Sequence, residues 1–423
     1  MTAQGPQAAP IIDVPRRNWA GNVRYAAKAF HSPTSVDELR RLVAGSSRIR
    51  AVGSGHSFNR FGDTDGDLVS LAGLPPVVEV DHERGQVTVS GALRYGDVAR
   101  QLHTQGYALA NLASLPHISV AGAVATATHG SGQTHGNLAS AVAGLELVTA
   151  DGDLLRVDRD TETFAGMVVG LGALGLVTRV TLDVVPTFAL RQYVRLDLER
   201  TALDEALGSA YSVSVFTDFR TPRLREVWRK QLADEQPPPA DWLGTTAADQ
   251  PRHPVLGMPA ENCTPQLGEP GPWHERLPHF KLGFTPSSGD ELQSEYHVGR
   301  ADAADALAAL DDVADLIAPV LLVSELRTVA ADELWLSPNY RRDSFVLHFT
   351  WIEDTAAVLP VVAAVEERLA PFAPRPHWGK VFVTDPAELS ARYPRYADFA
   401  ALLADLDPKG TFRTDVLDRY FPR

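Results

Sequence analysis

The sequence predicts an α+β protein of two strand-and-helix units, with its functional site in the cleft between them. Three observations predict it. Up to Pro186 strand and helix patterns mix without the strict strand–helix–strand repeat of a doubly wound sheet. Within that stretch Leu145–Ala150, Asp151-Gly152 and Asp153–Asp158 form a hairpin signal, because an Asp-Gly pair supplies the positive φ angles of a tight two-residue turn. Beyond Pro186 the texture changes to further strands, a proline-rich loop at Gln236–Pro239 and an irregular stretch reaching about Pro286.

The elements follow in order. Val36–Ala44 predicts a helix: Leu39, Leu42 and Val43 share a face, and Ser35 precedes a first turn holding Asp37 and Glu38. Arg48–Val52 predicts a short strand that runs into Gly53-Ser54-Gly55. Asp67–Leu71, Pro76–Asp81 and Gln86–Ser90 are further strands, the last two joined at Gly85, and Tyr95–Gln105 is a helix closed by Gly106. Leu176–Val185 is the last strand of the first unit. In the second, Tyr211–Phe219, Leu224–Lys230, Tyr296–Val298, Val320–Ala330 and Ser344–Trp351 predict strands. Ala301–Ile317 and Ala356–Leu369 predict helices, with Pro360 tolerated near a first turn. Asp398–Leu406 predicts a helix near the end.

Composition narrows the function. The 423 residues fit two or three domains at roughly 100–200 residues each. With 44% apolar and 22% charged residues the chain is an ordinary globular protein. Its net charge of −14 and lack of a basic patch argue against a nucleic-acid partner or an anionic membrane surface. Met1–Pro15 has no apolar core of a secretory signal and reads as a loose tail. Gly166–Thr178 is too short and glycine-rich to span a bilayer. A single cysteine, Cys263, fits a reducing compartment. The expectation is a soluble, cytoplasmic monomer.

Gly170-Leu171-Gly172-Ala173-Leu174-Gly175 has the spacing of a dinucleotide fingerprint, with Asp197 downstream for a ribose. That mechanism needs a helix to start at the glycines. Leu176–Leu182 is instead a β-branched alternating run, so a nicotinamide site is not expected. Gly53-Ser54-Gly55-His56-Ser57-Phe58-Asn59 is different. Its glycines let backbone N–H groups approach a bulky anion, and a neutral imidazole beside the ligand can act as a nucleophile. The bland alternative is a polar turn with a solvent-facing histidine. A second run, Ala113–Gly132, is small-residued and nearly uncharged, which suits a flat, extended ligand held by hydroxyls. An ordinary loop of that length is unusual.

Asn18-Trp19-Ala20-Gly21-Asn22, Gly53–Asn59, Ser114–Gly132, Gly172–Thr178, Ser324–Ala331, His348–Trp351 and Pro376–Lys380, taken together and in this order, resemble the alditol oxidases. These belong to the vanillyl-alcohol-oxidase-type flavoprotein superfamily. The resemblance implies a two-part FAD-binding domain joined to an α+β substrate (cap) domain with an antiparallel sheet. It divides the chain into a disordered tail (1–17), an FAD-binding domain (18–186), a cap domain (187–375) and a C-terminal segment returning to the FAD domain (376–423). It implies that FAD contacts Gly53, Ser54, Gly55, His56, Ser57, Ser114, Ser119, Gly122, Thr126, Thr128, His129, Gly130 and Val177. It further implies an 8α-histidyl link to His56. One departure is Thr414, where the family pattern Asp-Pro-x-Gly-x-Phe-x-Asn has its final Asn.

Glu325 and Arg327 alternate on one predicted strand, as His348 and Thr350 do on another, so each pair shares a face. Two polar residues on one strand face usually mark an edge exposed to water. With Lys380, however, these residues match the alditol-oxidase site. The resemblance then implies oxidation of a terminal CH–OH of xylitol or sorbitol, with hydride passing from C1 to flavin N5 and O2 reduced to H2O2. Lys380, Arg327, Glu325 and His348 would be catalytic, and Ser114, Glu325, Arg327, Thr350 and Lys380 would hold substrate. Which group takes the hydroxyl proton is left open. An aldonolactone or other carbohydrate oxidase, a dehydrogenase using another electron acceptor (with Ala113 near the flavin limiting oxygen), and a flavin-binding protein without turnover are the alternatives. His129 and His135 lack metal-site spacing, and His274 and His279 read as members of a proline-rich loop. No metal is expected.

Overall fold

A computed structural model describes residues 16–284 and 290–423. The tail expected at residues 1–17 lies outside them up to residue 15, as does the end of the irregular stretch near Pro286. A small parallel sheet orders Ala29–His31, Asp67–Val69 and Ile49–Ala51. Helix Val36–Gly45 crosses over it, with Ser35 accepting the Glu38 N–H and Leu39 and Val43 buried. The chain leaves Ile49–Ala51 directly into the Gly53–Asn59 loop, so that loop sits at the end of a strand.

Beside it lies a five-stranded antiparallel sheet ordered Val78–Asp81, Gln86–Ser90, Leu176–Asp183, Val142–Val148, Leu154–Asp158. The expected hairpin is its last pair, but its turn is not the two-residue one: the Thr149 N–H donates to the Asp153 carbonyl, so Ala150–Gly152 form the loop, with Gly152 at φ +80° and Asp151 not at positive φ. Leu176–Asp183 follows Gly175 as a strand, so the helix that a dinucleotide fingerprint needs is absent there.

Among the described residues the largest sheet has nine antiparallel strands. Its central order runs Ala189–Leu198, Leu224–Leu232, Ser212–Thr217, Leu321–Val329, Ser344–Ile352, Glu291–Gly299. One face buries Leu326, Leu347, Phe349 and Trp351 against Thr355–Leu369 and neighbouring short helices. The alternate residues Glu325, Arg327, His348 and Thr350 therefore point to the opposite face. Strand pairing sets Glu325 opposite His348 and His348 opposite Glu295, in one cross-strand row.

Four differences from the sequence expectation have physical causes. Tyr296–Val298 lies in the second half of a strand nine residues long, Glu291–Gly299, whose polar inward residues hid its alternation. Ala189–Leu198 was not foreseen, because Gln192 and Arg195 occupy buried positions on it. Ala301–Ile317 is not one helix: 3-10 turns interrupt it, which turns Leu310, Val313 and Ile317 all inward. The Ala113–Gly132 run contains a short helix, Val120–Ala125, rather than loop throughout. The C-terminal helices Pro386–Arg392, Tyr396–Leu406 and Asp415–Tyr420 bury Leu389, Phe399 and Leu417 in the same cluster as Val89 and Val180 of the five-stranded sheet.

Candidate functional site

A cavity of about 590 Å³ lies between the small-residue loops and the open face of the large sheet. On one wall are Gly53, Ser54, Gly55, His56, Ser57, Ser114, Ser119, Gly122, Thr126, Thr128 and His129. On the other are Glu325, Arg327, His348, Thr350 and Lys380. Two residues of the sequence expectation are not on the lining. Gly130 packs against Asn111, and Val177 sits on the strand behind Gly91. Thr414 is also elsewhere: its hydroxyl accepts the Leu417 N–H and caps the last helix.

The loop wall is held by short-range polar contacts. Gly55 needs its φ of +69°, a region that disfavours a side chain. Its carbonyl accepts the Trp19 N–H, and Asn18 donates to the Ser57 carbonyl. A Cβ on Gly53 would stand 2.0 Å from Ser119 Oγ, so the two loops meet without room for a methyl. His56 stacks on Trp19, with ring centroids 4.8 Å apart. Its Nδ1–H donates to the Ser54 carbonyl, which leaves Nε2 buried with a free lone pair. Burial holds its pKa down to about 4, so the ring is a neutral imidazole. A buried nitrogen without a partner, beside a cradle of glycines and hydroxyls, fits a bound FAD with a histidyl link.

The sheet wall is a charge network that the sequence reading saw only in part. Its centre is Glu295, fully buried and absent from the expectation. Arg327 Nη2 donates to Glu295 Oε2 at 2.7 Å, Lys380 Nζ donates to the same oxygen at 2.9 Å, and His129 Nε2 meets Oε1 at 2.9 Å. Burial alone would raise this carboxyl; Lys380, His129 and Arg327 hold it well below the usual range. Lys380 also donates to His348 Nδ1 at 2.7 Å, which puts the His348 ring proton on Nε2, 3.1 Å from Thr350 Oγ1. Burial, aided by Lys380, holds His348 down to about 4, and burial lowers Lys380 despite Glu295. The edge exposed to water that two polar residues usually mark is thus not what occurs here: both strands are central, and Glu325 is only 5% exposed.

Other residues were missed for identifiable reasons. His279, read as part of a proline-rich loop, donates from Nε2 to Glu325 Oε1 at 2.8 Å. His377 bridges the walls: its N–H donates to the Glu295 carbonyl, and its ring lies 3.3 Å from Thr128 Oγ1. Glu295 carried a readable signal, since it alternates with His297 as Glu325 does with Arg327. His279 carried none, because its neighbour in space lies 46 residues on. The walls are clamped together by Asn59, which donates to the carbonyls of Trp378 and Lys380, and by the Phe58 N–H on the Gly379 carbonyl.

His129, Glu295 and His297 place one ligand atom each within 4.8 Å of one another. Both Glu295 oxygens are already engaged by Arg327, Lys380 and His129, so a cation there would face two fixed positive charges. Among the described residues no helix is long and apolar enough to cross a membrane.

Residues 27–158 match the model of an FAD binding domain, and residues 290–420 match that of D-arabinono-1,4-lactone oxidase. The chain is 54% identical to an alditol oxidase of a Streptomyces species, over 95% of this chain and 98% of that protein. It is 32% identical to an L-gulono-1,4-lactone dehydrogenase of Mycobacterium tuberculosis (95% and 98%) and 26% identical to the L-gulonolactone oxidase of Mus musculus (96% and 98%). Its fold is that of cholesterol oxidase from Brevibacterium sterolicum: the TM-score is 0.77 at 15% identity, covering 99% of this chain and all of the other.

Proposed function

The chain belongs to the FAD-dependent oxidoreductase family of the alditol oxidase, within the vanillyl-alcohol-oxidase-type flavoproteins, and from that premise we propose that it oxidises the terminal CH–OH of linear polyols such as xylitol and sorbitol to the aldehyde. O2 is the electron acceptor and H2O2 the second product. The observation that carries this reading is the opposition of the two walls: a glycine- and hydroxyl-rich loop wall faces a buried row of charged side chains. FAD, when bound by Gly53–Ser57 and Ser114–His129 and tethered to His56, supplies the hydride acceptor and the route of electrons to O2.

The protein's own residues orient the alcohol and move its proton. Lys380 and Arg327 place fixed cationic donors where negative charge develops on the reacting oxygen. Glu325 accepts from a neighbouring hydroxyl. Ser114 and Thr350 hold hydroxyls further along the chain, and that is what separates a polyol from a simple alcohol. Lys380 already donates to His348 Nδ1, so it takes the alcohol proton as it passes its own to that nitrogen. The new Nδ1–H then faces Glu295 Oε2 at 3.1 Å, a carboxylate placed to accept it. Residues 18–186 and 376–423 form the FAD-binding unit in this scheme, and 187–375 the substrate unit.

A second reading, an aldonolactone oxidoreductase, is favoured by one observation: the lactone-oxidase family model spans 290–420, which contains the whole charged wall. A panel of alditols, aldoses and lactones with peroxide detection separates the two. Turnover on xylitol and sorbitol above that on any lactone is expected; turnover on lactones alone overturns the alditol assignment.

A further inference from the structure

Behind Glu325 lies a polar chain that the scheme above does not use. Lys230 sits on Leu224–Leu232, is 1% exposed, and shares the sheet face of Glu325. Its Nζ donates to the carbonyls of Leu277 and Pro278 and meets His279 Nδ1 at 3.0 Å. The other ring nitrogen of His279 meets Glu325 Oε1 at 2.8 Å. A buried cation with neutral partners is costly, and packing alone gives no reason for one here.

The two ends of this chain agree on one proton arrangement. A carboxylate only accepts, so His279 Nε2 carries the hydrogen. Nδ1 is then an acceptor, which matches the donors of Lys230. Burial and Lys230 keep His279 neutral, at about 4, while burial brings Lys230 down to about 7. Glu325 Oε1 is thereby engaged by the imidazole, with Arg327 Nε 3.6 Å away. Its other oxygen keeps its lone pairs for the cavity. The His279 N–H also donates to the Ser114 carbonyl at 2.9 Å, so the same residue ties the Ser114 loop to the sheet wall.

We propose that His279, its tautomer fixed by Lys230, is a positioning residue that presents one oxygen of Glu325 to a substrate hydroxyl and so sets the affinity for polyols. This rests on the polyol reading. It acts through Glu325, and it meets the cofactor cradle only through its backbone N–H on the Ser114 carbonyl.

Two experiments on the FAD-loaded protein test it. In anaerobic stopped flow, His279→Leu removes a hydrogen bond to a charged group and is expected to raise the apparent Kd for sorbitol about tenfold or more, with a smaller change in the limiting rate of flavin reduction. His279→Gln, whose amide restores an N–H near the Nε2 position, is expected to recover most of that loss. In a Glu325→Gln background, His279→Leu is expected to add little. Equal losses in both backgrounds, or no recovery in a folded His279→Gln protein, overturn the inference. The second experiment needs no substrate: 15N-histidine spectra, with His279 assigned by its variant, should show Nε2–H and a bare Nδ1. An Nδ1–H tautomer or an imidazolium at neutral pH overturns it. Failure of sorbitol and xylitol to reduce the wild-type flavin rejects the polyol reading; a reduced wild type with the wrong variant pattern rejects His279 alone.

Discussion

The loop wall, from Gly53–Ser57 and Ser114–His129, presents backbone, hydroxyls and the neutral imidazoles of His56 and His129 to the cavity, and has no formally charged side chain. The sheet wall sets Glu295, Glu325 and Arg327 in buried positions, with Lys380 largely buried beside them. The first achieves closeness by deleting side chains; the second achieves polarity by pairing every charge. Removing one group from the first wall should affect cofactor attachment or fit, whereas removing one from the second strands the charges left behind.

The largest effect is expected at the hub of the charged wall. Glu295→Gln leaves Lys380 and Arg327 buried without their shared counter-charge, and a loss of about 3–5 kcal/mol is expected in denaturant unfolding. A loss under 1 kcal/mol would show that the network is not needed for stability. Lys380→Ala is expected to lower xylitol turnover about 100–1,000-fold with the flavin still attached, measured as peroxide release and as colour in the acid precipitate. The reverse pattern is expected on the loop wall. His56→Ala should give a colourless acid precipitate and an intact mass equal to the bare chain, while non-covalent binding is retained. Gly53→Ala, whose methyl would press on Ser119 Oγ, is expected to cost about 1–3 kcal/mol through strain and to weaken FAD retention.

A pH dependence gives the most diffuse effect. His279 and His348 stay neutral in the fold down to about 4, against 6.5 in the unfolded chain. Between those values the unfolded chain binds protons that the folded chain does not. Their stabilisation is therefore complete above pH 6.5 and is lost as pH falls toward 4, by up to about 1.4 kcal/mol per histidine per pH unit. A lower Tm at pH 5 than at pH 7 is expected, and a flat profile would contradict neutral burial of these rings.

The contrast also explains what the sequence disclosed. The loop wall is contiguous: its signal is composition over short windows, and Gly53–Ser57 and Ser114–His129 could be placed from residue types alone. Strand alternation exposed Glu325/Arg327 and His348/Thr350, although not that their strands are central. Glu295 was legible by the same rule, but Glu291–Gly299 was recognised only from Tyr296 to Val298. His279 and Lys230 were not legible, because sheet order and a long connection bring them to Glu325. The family resemblance located Lys380, which periodicity could not have done.

Anaerobic mixing of the holoprotein with excess xylitol measures the joint action of both walls most directly. Saturable and complete reduction of the bound flavin, followed by one peroxide per flavin when air is admitted, is the predicted result. A flavin that stays oxidised with every alditol, yet is reduced by an aldonolactone, would contradict the assignment.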